Sequence, residues 1–183
     1  MIDELNKHDN IKDSKVFRIY RDVRFSKNKT PYKTNLGLSF KRSTPSLRGG
    51  YYFHIKPTES FVACGFFNPN KQDLLRIRKE LELDSDEFRQ IINEKSFKNN
   101  WGSIDGDPLK TAPRGFSKDN SNIDLIRMKR YIFIKNYNDD SVLSSNFINN
   151  ISYDFKTMRP FLNYMSTVLT SDLNGISILE NDI

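Results

Sequence analysis

The sequence predicts a single α+β domain over residues 1–183, an antiparallel β-meander with helices packed mainly on one side. Three observations lead there. Two aromatic-rich runs, 51–56 and 60–67, follow each other across only residues 57–59, which is hairpin spacing and too short for a crossover. Apolar residues then switch to a helical period from Leu74 onward and again after Ser145. The 183 residues are 37% hydrophobic and 13% aromatic, enough to build one core although mean hydropathy is -0.65.

The elements follow in order. Residues 1–15 are polar without a sustained period and read as a loop or a frayed helix end. Residues 17–25 alternate: Phe17, Ile19, Val23 and Phe25 share one face with Arg21, while Arg18, Tyr20, Asp22 and Arg24 share the other. One strand here would send Arg21 toward the core, where it needs a partner. Residues 36–40 form a short strand, 43–50 a loop, and 51–56 with 60–67 the hairpin. Residues 68–70 break the sheet and open a helix carrying Leu74, Ile77 and Leu81. Residues 84–87 (Asp, Ser, Asp, Glu) form a charged capping box ahead of Phe88, Ile91 and Ile92. Residues 101–121, broken by Gly102, Gly106, Pro108, Pro113 and Gly115, read as a long loop, a kind of segment often functional. A short helix to about residue 129, a strand at 131–134, a helix at 145–156 and a last helix opened by Pro160 complete the chain. Residues 174–183 read as a loose tail.

Net charge is +6, and it is concentrated. Residues 1–60 hold 13 Lys/Arg against 6 Asp/Glu, leaving 16 against 17 for the rest. A basic first third points to phosphate, nucleic acid or another acidic partner, or to a solvated lysine-rich surface. Cys64 is the one cysteine, so an intramolecular disulfide is excluded. With His8 and His54 the only histidines, a Cys/His zinc cluster is excluded too, and no metal site is expected. No stretch approaches the roughly 18 apolar residues of a membrane span. The first residues lack the apolar core of a signal peptide, so no membrane partner and a cytoplasmic location are expected.

The charge peaks between Arg18 and Lys33, where six cations meet the single carboxylate of Asp22, with Tyr20 and Tyr32 among them. Arg18, Arg21, Asp22, Arg24, Phe25, Asn28, Lys29 and Tyr32 fit R-x-x-R-D-x-R-F-x-x-[DN]-K-x-x-Y position for position. This run resembles the signature of a mainly bacterial family of conserved hypothetical proteins, the domain-of-unknown-function family 2461. The likeness continues through Pro31 and Lys33, the run from Gly50 to Pro57, Gly65, and a Pro-Arg-Gly-Phe segment at 113–116. It covers most of residues 15–170. Members of that family usually carry about fifty further helical residues before the signature. If those helices cover the sheet, an apolar patch is expected to be exposed here. The resemblance implies no reaction, substrate or cofactor.

Guanidinium forks suit bidentate contact with phosphate or carboxylate, and lysines add point charge. Arg18, Arg21, Arg24, Lys29, Tyr32 and Lys33 are therefore the candidate ligand-binding residues, with Asp22 holding one arginine in place. Lys110 and Arg114 join them if the long loop folds across the sheet. The expected ligand is an anionic small molecule or a nucleic-acid backbone. Two alternatives stay open: an enzyme using the same cations to stabilise negative charge, with Asp22 or Tyr32 carrying a proton, and an adaptor whose Arg–Asp network is purely structural, with a protein partner or a second copy. Three lesser constellations complete the set. His54 and Cys64 fall on adjacent strands, where an even register would pair them as nucleophile and base. Asp105 and Asp107 flank Gly106, a weak cation seat better read as a turn. The rings at 51–53 and 66–67 could stack bases, although core packing is the better reading.

Overall fold

The computed structural model describes residues 1–179; the end of the expected loose tail, 180–183, lies outside the described residues. Five strands form one antiparallel meander in chain order: β1 (Ile11–Val16), β2 (Leu36–Arg42), β3 (Gly50–Ile55), β4 (Ser60–Phe66) and β5 (Tyr131–Tyr137). Eight helices accompany them: α1 (Ile2–Asn6), α2 (Lys71–Leu83), α3 (Asp86–Asn93), α4 (Lys95–Trp101), α5 (Ile123–Ile126), α6 (Asp139–Leu143), α7 (Phe147–Thr157) and α8 (Arg159–Thr170). The α+β meander expected from the hairpin spacing is the fold observed.

Strand alternation sets the two faces of the sheet. Tyr51, Phe53, Val62, Cys64, Phe66, Tyr131 and Phe133 point toward the helices and are buried. Rings lock this core edge to face: Phe97 lies 5.0 Å from Phe133, and Phe133 5.1 Å from Phe161. Polar tips buried with them find partners, as when the Trp101 indole donates to Thr157 Oγ1 at 2.9 Å. The other face carries Gly37, Ser39, Lys41, Tyr52, His54, Phe61, Ala63, Ile132 and Ile134.

Four local readings need correcting. Residues 1–15 are not a loop: they form α1 and β1, with Leu5 fully buried. β1 escapes a periodicity argument because only Ile11 of its six residues is buried. Residues 17–25 alternate in sequence but form no strand, because the sheet and its helical layer end before them. The capping box at 84–87 does not form. Asp84 Oδ1 accepts the Asp86 N–H at 2.7 Å, while the Ser85 hydroxyl is drawn to Asn122 Oδ1 at 2.7 Å. Finally, α4 starts where a loop was approaching, because the Glu94 carboxylate accepts the Phe97 N–H at 2.9 Å and caps it. Before residue 180 the tail is fastened by a Ser171–Ser177 bridge.

Candidate functional site: a cationic arm beside an open sheet face

The signature forms an arm that prolongs the β1–β2 hairpin past the core. Phe17 N–H donates to Gly37 O at 2.9 Å, Lys33 N–H to Ile19 O at 2.7 Å, and Arg21 N–H to Pro31 O at 2.9 Å. Tyr20 and Tyr32 sit opposite each other with ring centroids 5.4 Å apart. Beyond them the tip is held by short local bonds. Asn28 Oδ1 accepts from the Thr30 N–H and hydroxyl, and the Lys29 ammonium donates to Val23 O at 2.7 Å.

The arm's cations are only partly used up inside the protein. Arg24 forks onto Asp22, Nε to Oδ1 at 2.9 Å and Nη2 to Oδ2 at 2.6 Å, and these bonds hold the Asp22 carboxyl below its usual range. Arg21 is half-buried, and its Nε donates to the Tyr32 carbonyl at 3.1 Å, so the partner it was expected to need is backbone. Among the described residues, Arg18, Arg21, Lys27, Lys29 and Lys33 make no ion pair with a carboxylate. Apolar surface accompanies them: Phe25 is 94% exposed with the Arg24 guanidinium 5.9 Å from its ring.

Phe17 joins the arm to the open sheet face, meeting Tyr52 edge-on at 5.9 Å. Gly37 makes the approach feasible, since a Cβ there would stand 2.7 Å from the Tyr52 hydroxyl oxygen. Next to Tyr52, the His54 and Phe61 rings stack at 4.7 Å and 13°. Ala63, Gly65, Ile132 and Ile134 extend the floor, giving a groove of about 820 Å³. Gly65 is required where it stands: its φ is +120° and a Cβ would lie 2.2 Å from Tyr131 O. Arg130 closes the far end, paired with Asp105 at 3.0 Å and lying 5.5 Å from the exposed Phe67 ring.

The sequence of this chain matches the profile of the conserved hypothetical protein family DUF2461 over residues 1–164. The chain belongs to that family. Comparison with curated proteins and with solved structures gives no match. Among the described residues no helix is long and apolar enough to cross a membrane.

In this DUF2461 chain the other sequence candidates are dispersed. Lys110 and Arg114 are exposed on a loop tied to the α5 side, where Leu109 N–H donates to Arg127 O at 2.8 Å and Lys79 of α2 lies 4.8 Å from the Phe116 ring. No hydrogen bond, ion pair or ring contact among the described residues joins them to the arm. Asp105 pairs with Arg130 and Asp107 with Lys129 at 2.6 Å, so both carboxylates serve as turn anchors. The Cys–His pair fails on register. Cys64 stands opposite Tyr51 on the helical face, whereas His54 stands opposite Phe61 on the open one. Cys64 is 2% exposed, and burial pushes its thiol well above the usual range.

Sequence reasoning missed a buried polar cluster on the helical side. Arg42 is fully buried; its Nε meets Asp9 Oδ2 at 2.8 Å, Nη2 meets Asn163 Oδ1 at 2.6 Å, and Nη1 meets Ser166 Oγ and Arg48 O. The Tyr51 hydroxyl donates to the same Oδ2 of Asp9, and burial raises its pKa far above the ordinary phenol. The strand read over residues 36–40 stopped two residues short of Arg42, so no sequence reading marked it as inward.

Proposed function

We propose that this protein binds single-stranded nucleic acid, with phosphates on the signature arm and bases on the open sheet face. The observation that carries the reading is the arm itself: a largely exposed extension of the β1–β2 hairpin whose cations, Arg24 apart, keep their charge unpaired by carboxylates among the described residues. A projection suits a polymer backbone, whereas a small metabolite needs enclosure. The neighbouring face adds the half-exposed rings of Tyr52, His54 and Phe61, with Phe17 bridging arm and face. Lys15 and Lys41 on that face and Arg130 at its end offset Asp13 and Asp105, so the backbone meets no net repulsion. The enzymatic alternative wanted a cleft beside Asp22 or Tyr32. Asp22 is instead occupied by Arg24, and neither residue lines the groove.

The test is fluorescence anisotropy with a labelled 12-nucleotide single strand and the matching duplex across a salt series. Log affinity for a single strand is expected to fall linearly with log salt, with a slope near -0.7 per phosphate contacted. The Arg18→Ala/Lys33→Ala double variant should make that slope shallower by about 1.4. Absence of salt-sensitive binding at low ionic strength would sink the proposal. Equal affinity for the duplex, with Tyr52→Ala without effect, would remove the base-stacking half and leave the arm.

A further inference from the structure

A second cleft lies on the other side of the molecule, between the α1–β1 corner, the β2–β3 loop and one face of α8, with a volume of about 470 Å³. No residue of the arm lines it. Its floor is the Arg42–Asp9 pair, both side chains 1% exposed or less. That floor is internally neutral: Arg42 has spent its donors on Asp9, Asn163, Ser166 and Arg48 O. The wall is different. Arg159, the first residue of α8, lines the cleft with its Nε buried and without a hydrogen-bond partner. His8 lines it too; its Nε2 is 3.3 Å from Ser152 Oγ, and its Nδ1 is likewise buried and unpartnered. Both atoms are closed to solvent, so what the cleft presents to a ligand is the outer guanidinium of Arg159, which makes no hydrogen bond or ion pair among the described residues.

Here the two orphans sit on neighbouring basic groups in one cleft. Burial is the main influence disfavouring a charge on His8, Arg159 and Lys156 add to it, and Asp9 and a hydrogen bond with Ser152 oppose it. The local balance is one cation in excess once Asp9 and Arg42 cancel. The remaining lining is amides and hydroxyls, among them Asn10, Ser46, Thr167 and Thr170, and Leu47 is the one aliphatic side chain. Such a lining offers hydrogen-bond partners to a ligand rich in hydroxyls.

We infer that this cleft is a binding site for a small phosphorylated polyol, its phosphate held by the outer guanidinium nitrogens of Arg159 beside the His8 ring and its hydroxyls by the amides and hydroxyls of α8 and the β2–β3 loop. The volume falls within the range of small-molecule sites. The site is independent of the nucleic-acid reading, since it shares no residue with the arm or the open face.

Isothermal titration with ribose 5-phosphate, inorganic phosphate and ribose tests it. Ribose 5-phosphate is expected to bind, inorganic phosphate to bind more weakly, and ribose not to register. Arg159→Gln should weaken ribose 5-phosphate at least about tenfold, the loss expected of one charge-assisted contact. Thr167→Val, a change at an exposed position, should weaken ribose 5-phosphate a few-fold and leave inorganic phosphate unchanged. The arm double variant should bind as wild type does. Proton NMR supplies a readout that a merely structural role would not move: the His8 ring, identified by its loss in His8→Asn, should titrate at higher pH with ligand bound. No binding by either phosphate, binding that survives Arg159→Gln, or an unmoved His8 titration would each overturn the site.

Discussion

The arm and the floor of the second cleft are built from the same residue types with opposite consequences. On the arm, Arg24 and Asp22 pair with side chains 77% and 57% exposed; beneath α8, Arg42 and Asp9 pair at 0% and 1%. Water screens the first pair, so it fixes local shape and adds little stability. The second has no water to fall back on, and each partner depends on the other. An Arg–Asp–Tyr cluster is therefore a surface tool in one place and a structural joint in the other, and burial decides which.

The largest expected effect breaks the joint. Arg42→Ala leaves Asp9 buried without its cation and should cost about 3–5 kcal/mol by urea denaturation. A loss under about 1 kcal/mol would mean that the pair does not organise the fold. Next comes the open face. Phe61→Ala or Tyr52→Ala should lower single-strand affinity by about 1–3 kcal/mol, the worth of one stacked base. Because both rings are half-exposed, the melting temperature should fall far less than for a core ring such as the fully buried Phe133.

A third prediction concerns pH. Burial, reinforced by Arg159, lowers the pKa of His8; burial, reinforced by Lys56, lowers that of His54. An unfolded histidine takes up its proton near about pH 6.5, while these two resist it in the folded chain. The unfolded state then binds more protons, so stability is complete above about pH 6.5 and falls as pH drops below it. His8→Asn should flatten part of that fall between about pH 7.5 and 5.5 in denaturation midpoints, and a profile already flat in the wild type would contradict it. The smallest effect is Arg24→Ala: the denaturation midpoint should stay in place while oligonucleotide binding and its salt slope both weaken. A large drop in midpoint would turn the arm into a structural network after all.

How legible was this in the sequence? The hairpin of β3 and β4 was plain because both strands are half-buried, and burial imposes the period of two that the eye can find. β1 was invisible for the opposite reason, since Ile11 alone of its residues is buried, whereas β5 at the other edge buries Tyr131, Ile132 and Phe133. Residues 17–25 carried a strand's alternation without forming one, because alternation records side-chain chemistry and says nothing of whether a neighbouring strand and a helix are there to receive it. The arm's charge was legible at once. The sequence also left His54 and Cys64 as an eligible pair until register put them on opposite faces.

What the chain determined by itself is the order and type of its main elements, the basic character of its first third and the family it belongs to, because these depend on local spacing and composition. What only the tertiary structure decided is which charges are solvated and which are buried. In the sequence Asp22 is flanked by Arg21 and Arg24, while Asp9 has no arginine nearer than Arg18; only folding brings Arg42 and Tyr51 to it. One is covered by α8 and the sheet, the other stands in water, and the distance between those outcomes is set by residues more than a hundred positions away, Asn163 and Ser166.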